Sequence, residues 1–146
     1  MGLYIFLFLE IFILSILIPY KNKKFNKKVY CLFIGGTMFF LSGFRHLSVG
    51  TDTFAYLEKF KQITEINFAD LWFIVKDFGF YIFLKLLSSL TNNGQFLLLI
   101  VAFLFCFSIS RFIYKYSRIP EISFLLILAL NFLNFSMTGL RQTIAL

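Results

Sequence analysis

Cysteine is nearly absent from this chain, at 2 of 146 residues, and histidine occurs once. Two cysteines without a Cys-x-x-Cys spacing make neither a disulfide scaffold nor a redox motif, and one histidine cannot supply the three or four ligands of a metal site. Charge is scarce as well: Asp, Glu, Lys and Arg together make 14% of the residues, where soluble domains carry about a quarter. That shortage excludes a soluble enzyme and a disordered tail. Glycine-rich phosphate loops, zinc motifs, Gly-x-Ser-x-Gly elbows and internal repeats are all missing. What fills the chain is hydrocarbon. Apolar residues reach 60%, phenylalanine alone accounts for 23, and the mean hydropathy is +0.85. Composition places the chain in a bilayer, and its length fits one domain. The net charge of +7 then marks cytoplasmic loops rather than a nucleic-acid face.

Four apolar runs are long enough to examine as spans, at 2–19, 29–44, 95–114 and 122–138. The first rises about 27 Å as a helix, close to the roughly 30 Å of bilayer hydrocarbon. It has no basic segment before it and no small-residue cleavage site after it, so it reads as a retained helix. The second contains Gly35, Gly36 and Gly43, and the fourth carries Asn131 and Asn134. Residues 140–146 open a further helix that rises only about 10 Å. The reading is therefore an all-α integral membrane chain with about four spans and the start of a fifth. It is expected to be the N-terminal part of a longer polytopic protein, with a short tail as the alternative.

Charge orients the spans. Lys21, Lys23, Lys24, Lys27 and Lys28 stand between the first two runs without an acid, which predicts a cytoplasmic loop and an external N-terminus. Residues 45–94 then fall outside, Arg111, Lys115 and Arg118 inside, and Arg141 outside. This holds together only if 45–94 does not cross. Phe78 to Leu90 would rise about 20 Å, so interfacial or re-entrant helices are expected there, with Tyr56, Phe60 and Ile63 on one face and Lys85 reaching the interface.

Polar residues gather at the outer mouth of the second span: Arg45, His46, Gly50, Thr51, Asp52 and Thr53. Arg45 reads either as a helix-end anchor or as an anion ligand. Asp52 reads as a helix cap or as an active-site acid, and His46 as a general base or a plain surface residue. Glu10 lies mid-span, where an ionised carboxylate is costly, so it needs protein, water, a cation or a proton beside it. Cys31 and Cys106 read as packing residues. Arg141 follows a glycine and faces the same side as Arg45. Two guanidinium groups at one membrane face can hold a diphosphate by forked hydrogen bonds, aided by helix N-termini.

The segments Arg45-x-x-x-Val49-Gly50-Thr51-Asp52-Thr53-x-x-Tyr56, Asp77-x-Gly79-Phe80 and Leu140-Arg141-Gln142-x-Ile144-Ala145 resemble the EpsG-like family, which belongs with the Wzy-type polysaccharide polymerases of bacterial capsule and exopolysaccharide clusters. Asp77 stands where the family often has Glu, so that element matches softly. The resemblance implies glycosyl transfer between undecaprenyl-diphosphate-linked oligosaccharides on the outer face of the bacterial cytoplasmic membrane, without a cofactor or metal. It implies the lipid bilayer and other polysaccharide-assembly proteins as partners, and no nucleic acid. Under it, Arg141 and Arg45 would meet charge developing on the leaving diphosphate, and Asp52 or His46 would take or orient the acceptor proton. Thr51, Thr53, Tyr56 and Gln142 would hold sugar. A lipid-linked sugar flippase or other transporter, using the same arginines as anion anchors, is the competing reading, and an inactive truncated product is a third.

Overall fold

The computed structural model describes residues 2–18, 24–50, 52–65 and 78–145. Among these described residues the regular structure is entirely helical: α1 (Gly2–Leu17), α2 (Lys24–Gly43), α3 (Thr53–Glu65), α4 (Phe78–Ser88), α5 (Gly94–Tyr116), α6 (Pro120–Ala129), α7 (Phe132–Thr138) and α8 (Leu140–Ala145). A helix satisfies its own backbone groups, which in hydrocarbon have no water to turn to.

Helices α2 and α5 form an antiparallel central pair. At one end Lys27 Nζ donates to the Ser117 carbonyl, 2.6 Å away, just past α5; at the other, Gln95 Nε2 donates to the Gly43 carbonyl, also at 2.6 Å. Between these ties Gly35 lies so close to α5 that a Cβ there would collide with Ser110 Oγ. Small residues allow this approach, and in lipid close packing must replace the hydrophobic drive between helices. Asn93 caps α5 by accepting the Gln95 N–H at 3.0 Å.

On one side α1 packs against α2 and α6. The Tyr30 hydroxyl donates to the Ile11 carbonyl at 3.2 Å, and the Thr37 hydroxyl donates to Glu10 Oε1 at 2.6 Å. One oxygen of the mid-helix carboxyl thus has a protein partner, while Oε2 is buried without one among the described residues. Leu7, Ile34, Phe124 and Leu133 close the core of this layer. On the other side α3 and α4 pair and pack onto the first half of α5, burying Phe60, Ile63, Leu84, Leu97 and Leu98 with Leu140 of α8. Lys85 of α4 turns its head group to the end of α3. Its Nζ donates to the carbonyls of Ile63 at 3.0 Å and Thr64 at 3.3 Å, because the last turn of α3 leaves carbonyls unpaired and a cation is favoured there.

Among the described residues α5, with 23 residues, is the single helix long and apolar enough to cross a membrane, and its apolar stretch is only 39% buried within the chain. α6 and α7 qualify together but meet at 52°. This corrects the expected continuous span at 122–138. Asn131 sits in the left-handed region at φ 59°, where asparagine is among the few residues tolerated, and its Oδ1 accepts the Tyr4 hydroxyl at 2.5 Å. α1 is a shorter apolar helix of 16 residues, and α2 begins at Lys24 rather than at Val29, with three lysines in its first two turns. By length and apolarity, one helix and one broken pair among the described residues qualify as crossings where four spans were read. Phe6, Phe8, Phe12, Phe103 and Phe107 are exposed on α1 and α5, a surface suited to lipid and costly in water.

Candidate functional site

At the end opposite Lys27, the chain leaves α2 and turns back before entering α3. Val49 N–H bonds to the His46 carbonyl at 3.0 Å, and Thr53 N–H bonds to the Gly50 carbonyl at 3.3 Å. Gly50 has φ +104°, and a Cβ there would stand 2.5 Å from Thr53 Oγ1 and 2.8 Å from the Met137 carbonyl oxygen. Only glycine fits both the dihedral and the space.

Inside this turn Arg45 is 8% exposed. Its Nη2 donates to the Met137 carbonyl at 2.6 Å and to Thr53 Oγ1 at 3.3 Å, while the Thr53 hydroxyl donates to the Val49 carbonyl at 2.9 Å. Met137 lies in the last turn of α7, so the guanidinium satisfies a carbonyl that the helix leaves unpaired. Burial pushes the Arg45 guanidinium down to about 10, which still leaves it charged near neutral pH. Its Nε is buried without an acceptor among the described residues. Gln95 Nε2, besides its bond to Gly43, approaches the Arg45 carbonyl at 3.3 Å. The result is a latch: one arginine joins the end of α2, the turn before α3 and the end of α7.

Just beyond the latch the chain bends at Gly139 into α8. Gly139 N–H bonds to the Phe135 carbonyl at 2.8 Å, and the Thr143 hydroxyl bonds to the Gly139 carbonyl at 2.9 Å. Leu140 and Thr143 face inward, which leaves Arg141 and Gln142 exposed on the other face. The Gln142 amide folds back over Gly139, with Oε1 2.6 Å from where a Cβ would stand.

The structure brings the Arg45–Thr53 turn to the α7–α8 elbow that carries Arg141, as the shared outer face required. It does not present the two guanidinium groups alike: Arg45 is buried and bonded to the chain, Arg141 is exposed. Asp52 is exposed, and its carbonyl starts α3 by accepting the Tyr56 N–H at 3.1 Å. His46 is exposed, and its Nδ1 faces both the Ser48 hydroxyl at 2.8 Å and the Ser48 N–H at 3.3 Å. A backbone N–H can only donate, so Nδ1 accepts there. Tyr56 is half-buried edge-on to Phe80, with ring centroids 5.5 Å apart, and Lys59 Nζ lies 5.9 Å over its face. Thr51 and Asp77 lie outside the described residues. Gln95 and Met137 belong to the latch without having been singled out in the sequence. A polar side chain just inside a capped apolar helix was the available signal for Gln95. Met137 contributes through its backbone, which no residue pattern announces.

These features define an all-helical chain, among the described residues, with a polar elbow at one end of an apolar bundle. The chain matches the EpsG family over residues 28–146 and belongs to it. That membership assigns it to polysaccharide biosynthesis at a membrane. No curated protein and no solved structure matches it.

Proposed function

We propose that the chain takes part in polymerising undecaprenyl-diphosphate-linked oligosaccharide repeats on the outer face of the bacterial cytoplasmic membrane. In this reading α1, α2, α5 and the bent α6–α7 pair are the four crossings of a multi-pass protein. α3 and α4 then cover the outer end. The lysine-rich end of the α2–α5 pair faces the cytoplasm, as retained basic loops do.

The reaction breaks the bond between the sugar anomeric carbon and the carrier diphosphate, and forms a bond from that carbon to a hydroxyl oxygen of the next repeat. The hydroxyl proton passes to a base, and the diphosphate leaves with the electron pair. Arg141 meets the charge that develops on the diphosphate in this reading. Asp52, exposed at the start of α3, is the base or orienting acceptor. His46, exposed on the same turn, is the other candidate for that role. Thr51, Tyr56 and Gln142 are sugar contacts. Arg45 and Thr53 are positioning residues, since they act through the Met137 carbonyl. The observation that carries this reading is the 2.6 Å bond from Arg45 to Met137, which ties the motif of the first outer turn to the elbow that bears Arg141.

The test is polymer length on a gel from cells carrying variants of the complete gene product. Arg141→Ala is expected to lower polymerisation about a hundredfold, the loss typical of a missing charge-stabilising donor, with membrane levels unchanged. Undiminished long-chain polymer from Arg141→Ala would remove its assigned role, and lipid-linked repeats accumulating on the inner face would favour transport.

A further inference from the structure

Along the face of the α2–α5 pair runs a groove of about 480 Å³ that the proposed reaction does not use. Its two ends differ in chemistry. At one end stand Lys28 and Arg111, both exposed; at the other stand Phe39 and Phe103. Gly36 forms part of the floor, and a Cβ there would meet nothing within 4 Å. Ser110 also lines the groove, its Oγ buried without a partner among the described residues. No carboxylate is among the described lining residues.

We propose that this groove binds one anionic phospholipid from the leaflet at the Lys28 end. Lys28 and Phe39 lie about 16 Å apart along the helix, and one leaflet of a roughly 30 Å hydrocarbon core is about 15 Å deep. The groove thus has the depth of a single leaflet. Two cations at headgroup level match a phosphate, and the glycine floor and aromatic end match an acyl chain. Basic pockets between membrane helices select anionic headgroups in this way. The polyprenyl carrier is a poorer occupant: its diphosphate belongs at the Arg141 end, where this groove ends in phenylalanine.

Native mass spectrometry of the complete, detergent-purified protein tests this with phosphatidylglycerol and phosphatidylcholine added in equal amounts. Two cations at about 1 kcal/mol each correspond to roughly thirtyfold preference for phosphatidylglycerol. The double variant Lys28→Ala/Arg111→Ala should lose that preference. Gly36→Leu, which fills the floor and leaves both cations in place, should lower retention of bound lipid at least tenfold. Gel filtration reports whether each variant is folded, and Gly36→Leu carries the test if the charge variant is not. Equal retention of the two lipids by the unaltered protein would overturn the proposal. So would unchanged retention in Gly36→Leu, which is the result expected if another helix of the chain covers the groove.

Discussion

Gly50 and Gly36 carry the same side chain and opposite constraints. Gly50 is held at φ +104° with Thr53 and the Met137 carbonyl where a Cβ would go, whereas a Cβ on Gly36 enters open space. Gly50→Ala should therefore destabilise the protein by about 2 kcal/mol or more, from backbone strain and displacement of the latch. Gly36→Ala should change stability by no more than about 1 kcal/mol. The free, buried thiols of Cys31 and Cys106 give a native readout, since a thiol-reactive dye reaches them only on unfolding. Equal melting points for the two variants would show that the turn is not held as described. Arg45 makes a sharper case. Burial lowers its pKa to about 10 on folding, so from about that pH upward the unfolded chain holds more protons and stability rises with pH. At neutral pH both states are charged and the group contributes no slope. Arg45→Met should cost about 1–3 kcal/mol by leaving the Met137 carbonyl only the longer 3.4 Å approach of the Thr53 hydroxyl, and leave the pH dependence of melting near neutrality as it was. A new slope there would mean that the arginine was paired with a titrating group.

Helices are where the sequence was most legible. The apolar runs located α1, α2 and α5, the turn residues before Thr53 located α3, and the Phe78 run located α4. The fourth run misled because hydropathy counts side chains and not dihedral angles. Asn131 sits inside an unbroken apolar stretch, yet its left-handed φ of 59° splits that stretch into α6 and α7. The Tyr4 hydroxyl, 127 residues away, meets its Oδ1 at the break. Two costs can be separated there. Tyr4→Phe removes one hydrogen bond and should lower stability by about 0.5–1.5 kcal/mol. Asn131→Leu removes that bond and also forces a branched side chain into the left-handed region, adding about 1–2 kcal/mol. Asn131→Gly keeps the dihedral and should behave like Tyr4→Phe. Thermal unfolding of the three variants in one detergent checks the order. If Asn131→Leu proved as stable as Tyr4→Phe, the break would be a flexible joint and not a fixed elbow.

For the whole molecule, sequence and structure reach the same division into two ends by different routes. Charge counting put Lys27, Lys28, Arg111 and Lys115 on one side of the membrane and Arg45 and Arg141 on the other. The fold separates the same groups through the antiparallel α2–α5 pair, whose ties at Lys27–Ser117 and Gln95–Gly43 lie at opposite ends. The candidate site was legible only in pieces. Arg45, Gly50, Thr53 and Arg141 stood out as residue types, but the contact that unites them ends on a backbone carbonyl, which leaves no trace in a sequence. The division into ends can be tested directly. With Cys31 and Cys106 buried, a cysteine introduced at Lys115 or at Gln142 would be the accessible thiol in intact cells. The basic end should be retained in the cytoplasm, so an impermeant maleimide should label Gln142→Cys in whole cells and Lys115→Cys only after the membrane is opened. Both positions are exposed, so failure to label would report sidedness and not burial. Labelling of Lys115→Cys from outside would invert the bundle, place Arg141 on the cytoplasmic side, and leave the proposed polymerisation without its diphosphate contact on the face where the repeats are joined.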